Sequence, residues 1–377
     1  MSEPPGGRRL TVLFAPDSFK GSLTSIEVAR ALAAGWARAR PADELLLAPL
    51  ADGGEGTLAA IEAAGGWESQ TTKTSDPIGR PITARWLRST DGTQAVVELA
   101  EASGLSRVPV SQRQPQMAST FGTGIVVRTA VEAGVDRVML GIGGSATTDG
   151  GYGLIGGLGA EVRDWLDPVD ELRPKYGSVE LVVACDVENP LLGLNGAAAV
   201  YGPQKGASKK DVAKLERRLA EWAERLEAAT GRSERDTPGA GAAGGVGFGL
   251  MAIRDAFRSF ALRPGIDLVM EAIGFDDKLA RADLVITGEG RIDAQTAFGK
   301  TALGVARRAH ARGVPCIAVG GGVTPEGIEA LAPLGAVVVP VVERPQSVDE
   351  AMGAGTATVE RCAERIARLI SLTKFVD

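Results

Sequence analysis

The sequence predicts an α/β fold in which one parallel-sheet domain is interrupted by a second, mixed α/β domain. Two observations carry this expectation. At both ends of the chain, short apolar runs suited to buried parallel strands alternate with helical patterns. From Trp67 the texture turns β-richer and threonine-rich. The order places one domain at residues 1–66 plus 290–377 and the inserted domain at 67–289. The 377 residues suffice for two domains and a large buried core.

Leu10–Phe14 is an apolar run that stops at the polar loop Ala15-Pro-Asp-Ser-Phe-Lys-Gly-Ser22. Thr24 and Glu27 form a capping box, and Ile26, Ala29, Leu32, Ala33 and Trp36 follow at helical spacing. The unit repeats: Leu45–Leu50 reads as a strand, Ala51-Asp-Gly-Gly-Glu-Gly-Thr57 as its loop, and Leu58–Ala64 as a helix. Residues 68–75 and 82–87, on either side of Asp76–Pro81, predict a hairpin. Gln94–Leu99 and Asp136–Leu140 predict strands, with a helix over Phe121–Ala133 between them. Glu180–Asp186 is a further strand with an acid at its tip.

Ser208 and Asp211 cap a long helix to about Ala229, whose apolar face is Val212, Leu215, Leu219, Trp222 and Leu226. Residues 231–249 are glycine-rich. They fit either a flexible linker or a backbone that lies close to a ligand. Ala282–Thr287 is a strand, Gly288–Lys300 its loop and Thr301–Ala311 a helix. Val314–Val319 and Ala336–Val342 are strands, and one helix over Val348–Ile370 closes the pattern.

Composition narrows the function. Acids exceed bases, 47 to 41, and aromatics are only 5%, which argues against a nucleic-acid partner. No stretch reads as a membrane span or a signal peptide. Cys185, Cys316 and Cys362 are far apart, so no disulfide framework or zinc site is expected, and a cytoplasmic setting is. Cys185 reads as a packed small residue. The single histidine, His310, reads as a surface residue, which leaves little room for a histidine-based triad. No heptad seam decides between monomer and homodimer.

The chemistry lies in the loops. Gly141-Ile-Gly-Gly-Ser-Ala-Thr-Thr-Asp-Gly-Gly151 is rich in small residues that bare the backbone N–H groups, which suits an anion. Gly141, Gly143 and Ala146 also match a dinucleotide fingerprint, with Glu161 as the ribose acid, so an NAD(P)-dependent oxidoreductase is a rival reading. A Walker A motif is not supported, because its first glycine would stand where Ala294 is. Asp17, Asp52, Asp186 and Glu289 all fall at expected strand ends, with Lys20, Arg291 and Lys300 nearby. Open α/β sheets bind ligands at that edge. Acids for Mg²⁺, cations for moving phosphoryl charge and a carboxylate base are what phosphoryl transfer needs.

In this reading Asp186 is the general base and Asp52, Glu289 and Asp293 are the Mg²⁺ candidates. Asp17 and Ser18 lie on the substrate side, and Lys20 and Arg291 hold the substrate carboxylate or the γ-phosphate. Gly143, Gly144, Ser145, Thr147 and Lys300 form the nucleotide side. Asp149 joins the carboxylate set.

Ala15–Ser22, Pro49–Thr57, Gly141–Gly151, Tyr201-Gly-Pro-Gln-Lys-Gly206 and Thr287-Gly-Glu-Gly-Arg-Ile-Asp293 together resemble the bacterial glycerate kinase family, type 1, from about Leu10 to Leu369. The resemblance implies ATP-dependent phosphorylation of D-glycerate, usually at the 2-hydroxyl, with the 3-hydroxyl as the alternative. It also implies a flavodoxin-like (Rossmann-like) domain carrying an inserted α/β domain, with the active site in the cleft between them.

Overall fold

The computed structural model describes residues 8–161, 167–298 and 301–372. These fall into two compact units. One holds the described residues up to Asp52, Ala59–Gly65 and those from Val269 on; the other holds Gly53–Leu58 and Gly66–Leu268.

In the first unit, β1 (Thr11–Pro16), β2 (Glu44–Leu47), β9 (Leu284–Ile292), β10 (Cys316–Val323) and β11 (Val337–Pro340) form a five-stranded sheet in the order β11-β10-β9-β1-β2. Every pair is parallel. Counted within the unit this is the 2-1-3-4-5 order of flavodoxin-like sheets. The order reverses between β1 and β9. β1 leads through helix Ser25–Ala39 to β2 on one side, and β9 leads through helix Thr301–Arg312 to β10 on the other. Val12, Phe14, Leu32 and Trp36 pack with Ile286, Val359 and Ile366 in one core. Helix Ser25–Ala39 starts at the expected capping box: Thr24 accepts from Glu27 N, and Glu27 accepts from Thr24 N.

The expected boundary at residue 290 cuts β9, whose residues pair with β1 and β10 as far as Ile292. The first unit resumes at Val269 instead. β2 is shorter than expected, although Ala48 N and Leu50 N still donate to Phe14 O and Pro16 O of β1. The expected closing helix is two, Val348–Gly353 and Thr356–Ser371. The break falls at Gly355, whose φ of 61° no helix accommodates.

In the second unit, β3 (Trp67–Ser75), β4 (Pro81–Ser89), β5 (Gln94–Glu98), β6 (Arg137–Gly141), β7 (Glu180–Ala184) and β8 (Ser259–Arg263) form a six-stranded sheet in sequence order. β3, β4 and β5 pair antiparallel, and β5 to β8 pair parallel. The long helix Lys209–Thr230 has the expected Ser208–Asp211 capping box and buries Leu215, Leu219, Ala223 and Leu226. The glycine-rich stretch is not a linker: Ala243, Gly244 and Gly245 turn the chain with left-handed φ, and the helical residues that follow, to Ala252, are buried. A Cβ on Gly244 would stand 2.0 Å from the Thr147 carbonyl oxygen, so glycine here serves a close approach of backbone to backbone.

Candidate active site

The carboxyl edge of the first sheet carries the polar groups. β1 ends at Pro16, and Asp17 is held there by its N–H, which donates to Gly288 O at 2.8 Å. One Asp17 oxygen accepts from Ser18 N at 2.6 Å and the other from the Thr301 hydroxyl at 2.7 Å. Burial pushes the Asp17 carboxyl above its ordinary range. The Thr301 hydrogen bond works against that rise, and the neighbouring Asp52 carboxylate adds to it. Lys20 Nζ lies 3.6 Å from Asp52 Oδ2, and its side chain is 80% exposed. On β9, Glu289 is buried and accepts from the Thr296 hydroxyl at 2.8 Å.

Asp17, Ser18, Lys20, Asp52, Glu289 and Arg291 line one cavity of about 630 Å³. It lies where the strand order reverses, between the ends of β1 and β9, the position at which open α/β sheets take ligands.

The structure therefore brings six expected residues together. Asp293 is not among those lining the cavity. One of its oxygens accepts from Gln295 N at 2.9 Å, and the other pairs with Arg291 Nε at 3.1 Å. Asp293 sits at the turn into Ala294–Phe298, off the cavity wall on which Asp52 and Glu289 stand. Lys300 lies outside the described residues. Among the described residues no three acidic, histidine or cysteine side chains form a ready metal site. Mg²⁺ carried by a nucleotide needs only one or two protein carboxylates, the rest being phosphate and water. Asp17 and Asp52 fit that demand.

The second unit places its expected residues differently. The loop after β6 closes on the second expected motif: a Cβ on Gly143 would stand 2.6 Å from Gly54 Cα. Gly144 is exposed and Gly143 half-buried, but Ser145 and Thr147 are buried. Lys205, itself buried, donates to Ser145 Oγ at 2.8 Å and to Thr147 O at 2.6 Å. Lys205 thus takes Ser145 Oγ and the Thr147 carbonyl, while the buried Thr147 hydroxyl has no partner among the described residues. Burial brings the Lys205 amine down to about 7.

Asp149 accepts from Thr120 N, Thr120 Oγ1, Gly151 N and Gly153 N. It knits two helix starts together rather than joining a carboxylate set. Asp186 is exposed just beyond β7 and accepts from Gly265 N at 3.0 Å, at the start of helix Gly265–Ala272. The Cys185 thiol is raised by burial, which fits packing and not nucleophilic use. His310 is exposed, as expected.

One acid, two hydroxyls and one amine escape a sequence reading centred on these loops. Glu98 ends β5, is buried, and accepts from Gly56 N and Leu58 N, both at 3.2 Å. Burial raises its carboxyl to about 7. The signal was available, since Glu98 is an acid at a strand end like Asp17. Thr296 and Thr301, which orient Glu289 and Asp17, carry no signal beyond lying in the same loop and helix start. Lys205 lies in a polar motif, but nothing in the sequence shows that it is buried. Asp293 apart, the metal candidates Asp52 and Glu289 keep their place on the cavity wall.

The glycerate kinase family model matches residues 12–371. The chain belongs to the glycerate kinase family. A glycerate kinase of Halalkalibacterium halodurans is 42% identical over 381 residues, spanning 97% of this chain and 99% of that protein. The glycerate 2-kinase of Escherichia coli K12 is 37% identical and spans 96% and 98%. The crystal structure of a Salmonella typhimurium LT2 protein assigned as glycerate kinase 2 has a TM-score of 0.81 at 36% identity, over 98% of this chain and all of that one. Membership of the glycerate kinase family makes this chain an enzyme, a kinase. The dinucleotide reading of the β6 loop falls with it. That fingerprint turns from strand directly into helix, whereas here β6 ends at Gly141 and the next helix begins at Tyr152. No helix among the described residues is long and apolar enough to cross a membrane.

Proposed function

We propose that the protein phosphorylates D-glycerate with ATP and Mg²⁺ and that the acceptor is the 2-hydroxyl. The observation that carries this reading is the cavity at the β1/β9 switch point, lined by Asp17, Lys20, Asp52, Glu289 and Arg291. Two relatives that span nearly the whole chain are described as glycerate kinase and glycerate 2-kinase.

Asp17 and Asp52 would hold the nucleotide's Mg²⁺, which when bound neutralises phosphate charge. Lys20 leaves its loose pair with Asp52 to meet a phosphate or the glycerate carboxylate. Arg291, 72% exposed, offers a planar fork suited to the same groups. Thr301 keeps one Asp17 oxygen oriented, so that the carboxylate meets its ligand without rearranging. Gly143 and Gly144 present backbone to an anion, and Asp186 takes the proton from the attacking hydroxyl.

The test is ADP release from ATP, Mg²⁺ and D-glycerate, with NMR of the product. Formation of 2-phosphoglycerate is the expected result, and 3-phosphoglycerate would reassign the acceptor. Well-folded protein that releases no ADP would contradict the reading. Asp186→Asn is expected to lower kcat by about 10²–10⁴-fold; a rate within a few-fold of wild type removes Asp186 as the base.

A further inference from the structure

The first unit's cavity has two unlike halves, and phosphoryl transfer to glycerate explains only one. The polar half is the strand edge just described. The other half is apolar, formed by Leu23, Val341, Val342, Val348, Ala351 and Met352. Val348 is 73% exposed and Met352 38%, so large apolar side chains stand open on the cavity wall. Such exposure marks a surface meant to be covered.

Glycerate cannot cover it, because each of its carbons bears oxygen. Nor does it match the size: about 630 Å³ is the range of cavities that take ligands much larger than a three-carbon acid. The reactant with a flat apolar face is the donor's nucleoside.

We propose that the apolar half of this cavity, around helix Val348–Gly353, seats the adenine base of ATP, with the triphosphate directed toward Asp17, Lys20 and Asp52. The inference rests on the kinase reading above. It moves the base away from the Gly143–Thr147 loop, where glycine content alone would put the nucleotide. Two features make the seat a built one. Ser22 Oγ donates to Met352 O at 2.9 Å, so the apolar wall is tied to the loop that carries Lys20, and the base and phosphate ends keep a fixed spacing. Helix Val348–Gly353 is itself fixed by the Ser347–Glu350 capping box. Gln346, on the same wall, carries a donor and an acceptor that match the edge of adenine.

Adenosine, which has the base without phosphates, is the probe. With the full chain it is expected to compete with ATP and not with D-glycerate. Val348→Asp places a charge on an already exposed position. It should raise the KM for ATP about tenfold and weaken adenosine inhibition by the same factor, while the KM for D-glycerate and inhibition by inorganic tripolyphosphate stay within about twofold. Ala351→Phe, which takes up space in the apolar half, should give the same pattern. Adenosine that competes with D-glycerate, or variants that leave both the ATP KM and adenosine inhibition within about twofold of wild type, would overturn the proposal. Failure of the kinase reading is separate: wild type would then release no ADP. Calorimetric binding of adenosine to wild type, and its loss in Val348→Asp, would still decide the base seat.

Discussion

The loop after β1 and the loop after β6 look alike in sequence and behave oppositely. Each follows an apolar strand, each is built of small and hydroxylic residues with an acid, and each has a lysine associated with it. Lys20 stands in solvent with a loose partner at 3.6 Å. Lys205 is buried, with two hydrogen bonds of 2.8 and 2.6 Å inside the fold. An exposed ion pair contributes about 0–1 kcal/mol, so Lys20 can exchange Asp52 for a ligand at little cost. A buried amine cannot leave its partners without stranding them. The carboxylates divide in the same way: Asp17 lines a cavity, whereas Asp149 is consumed by four protein donors. A glycine-and-acid loop therefore states that backbone is bared. Whether a ligand or the protein's own chain covers that backbone is decided by packing.

The contrast can be broken at either end. The largest effect is expected for Asp17→Asn. Removing a cavity carboxylate should lower kcat/KM by about 10²–10³-fold. The unfolding midpoint should hold, because burial already disfavours the charged form of Asp17. Steady-state kinetics beside urea unfolding checks both halves.

Next comes pH. Burial raises the Glu98 carboxyl to about 7 from its ordinary 4.5, so the folded state holds its proton more tightly than the unfolded chain. Its contribution to stability is full below about pH 4.5 and is lost as pH rises through 7, by at most about 3 kcal/mol. Unfolding free energies at pH 5 and pH 8 should differ less in Glu98→Gln than in wild type; equal differences would place Glu98 in a more hydrated setting.

Lys205→Met should cost about 1–3 kcal/mol of stability, since it strands Ser145 Oγ and the Thr147 carbonyl. An unchanged midpoint would mean that the loop does not depend on this amine. The smallest effect is expected for Thr301→Val, which removes one hydrogen bond to Asp17 and should lower activity several-fold, about 1 kcal/mol in the barrier.

Local chemistry made much of this legible. Apolar runs such as Val12–Phe14 and Val285–Ile286 announced buried parallel strands, and Thr24–Glu27 and Ser208–Asp211 announced helix starts that are there. Acids at strand ends pointed to Asp17, Asp52 and Glu289, which share a cavity. What stayed hidden depends on residues distant in sequence. β9 inserts beside β1 through pairs such as Val12 with Leu284, and no periodicity encodes that choice. β8, Ser259–Arg263, is half-buried and has no β-branched residue, so it gave no strand signal. The stretch around Gly244 could be read as linker or ligand loop because its reason for glycine, the Thr147 carbonyl, is remote in the chain. The buried states of Lys205, Ser145 and Thr147 were invisible for the same reason.

The central claim is that the open lysine serves the reaction and the buried one serves the fold. The direct measurement is kcat/KM for ADP formation from ATP and D-glycerate by Lys20→Met. The account predicts a loss of about 10²-fold or more, because an exposed cation that contributes almost nothing to stability is kept for phosphate or carboxylate charge. A value within about threefold of wild type would contradict it, and would show that the cavity edge at β1 is not where phosphoryl transfer occurs.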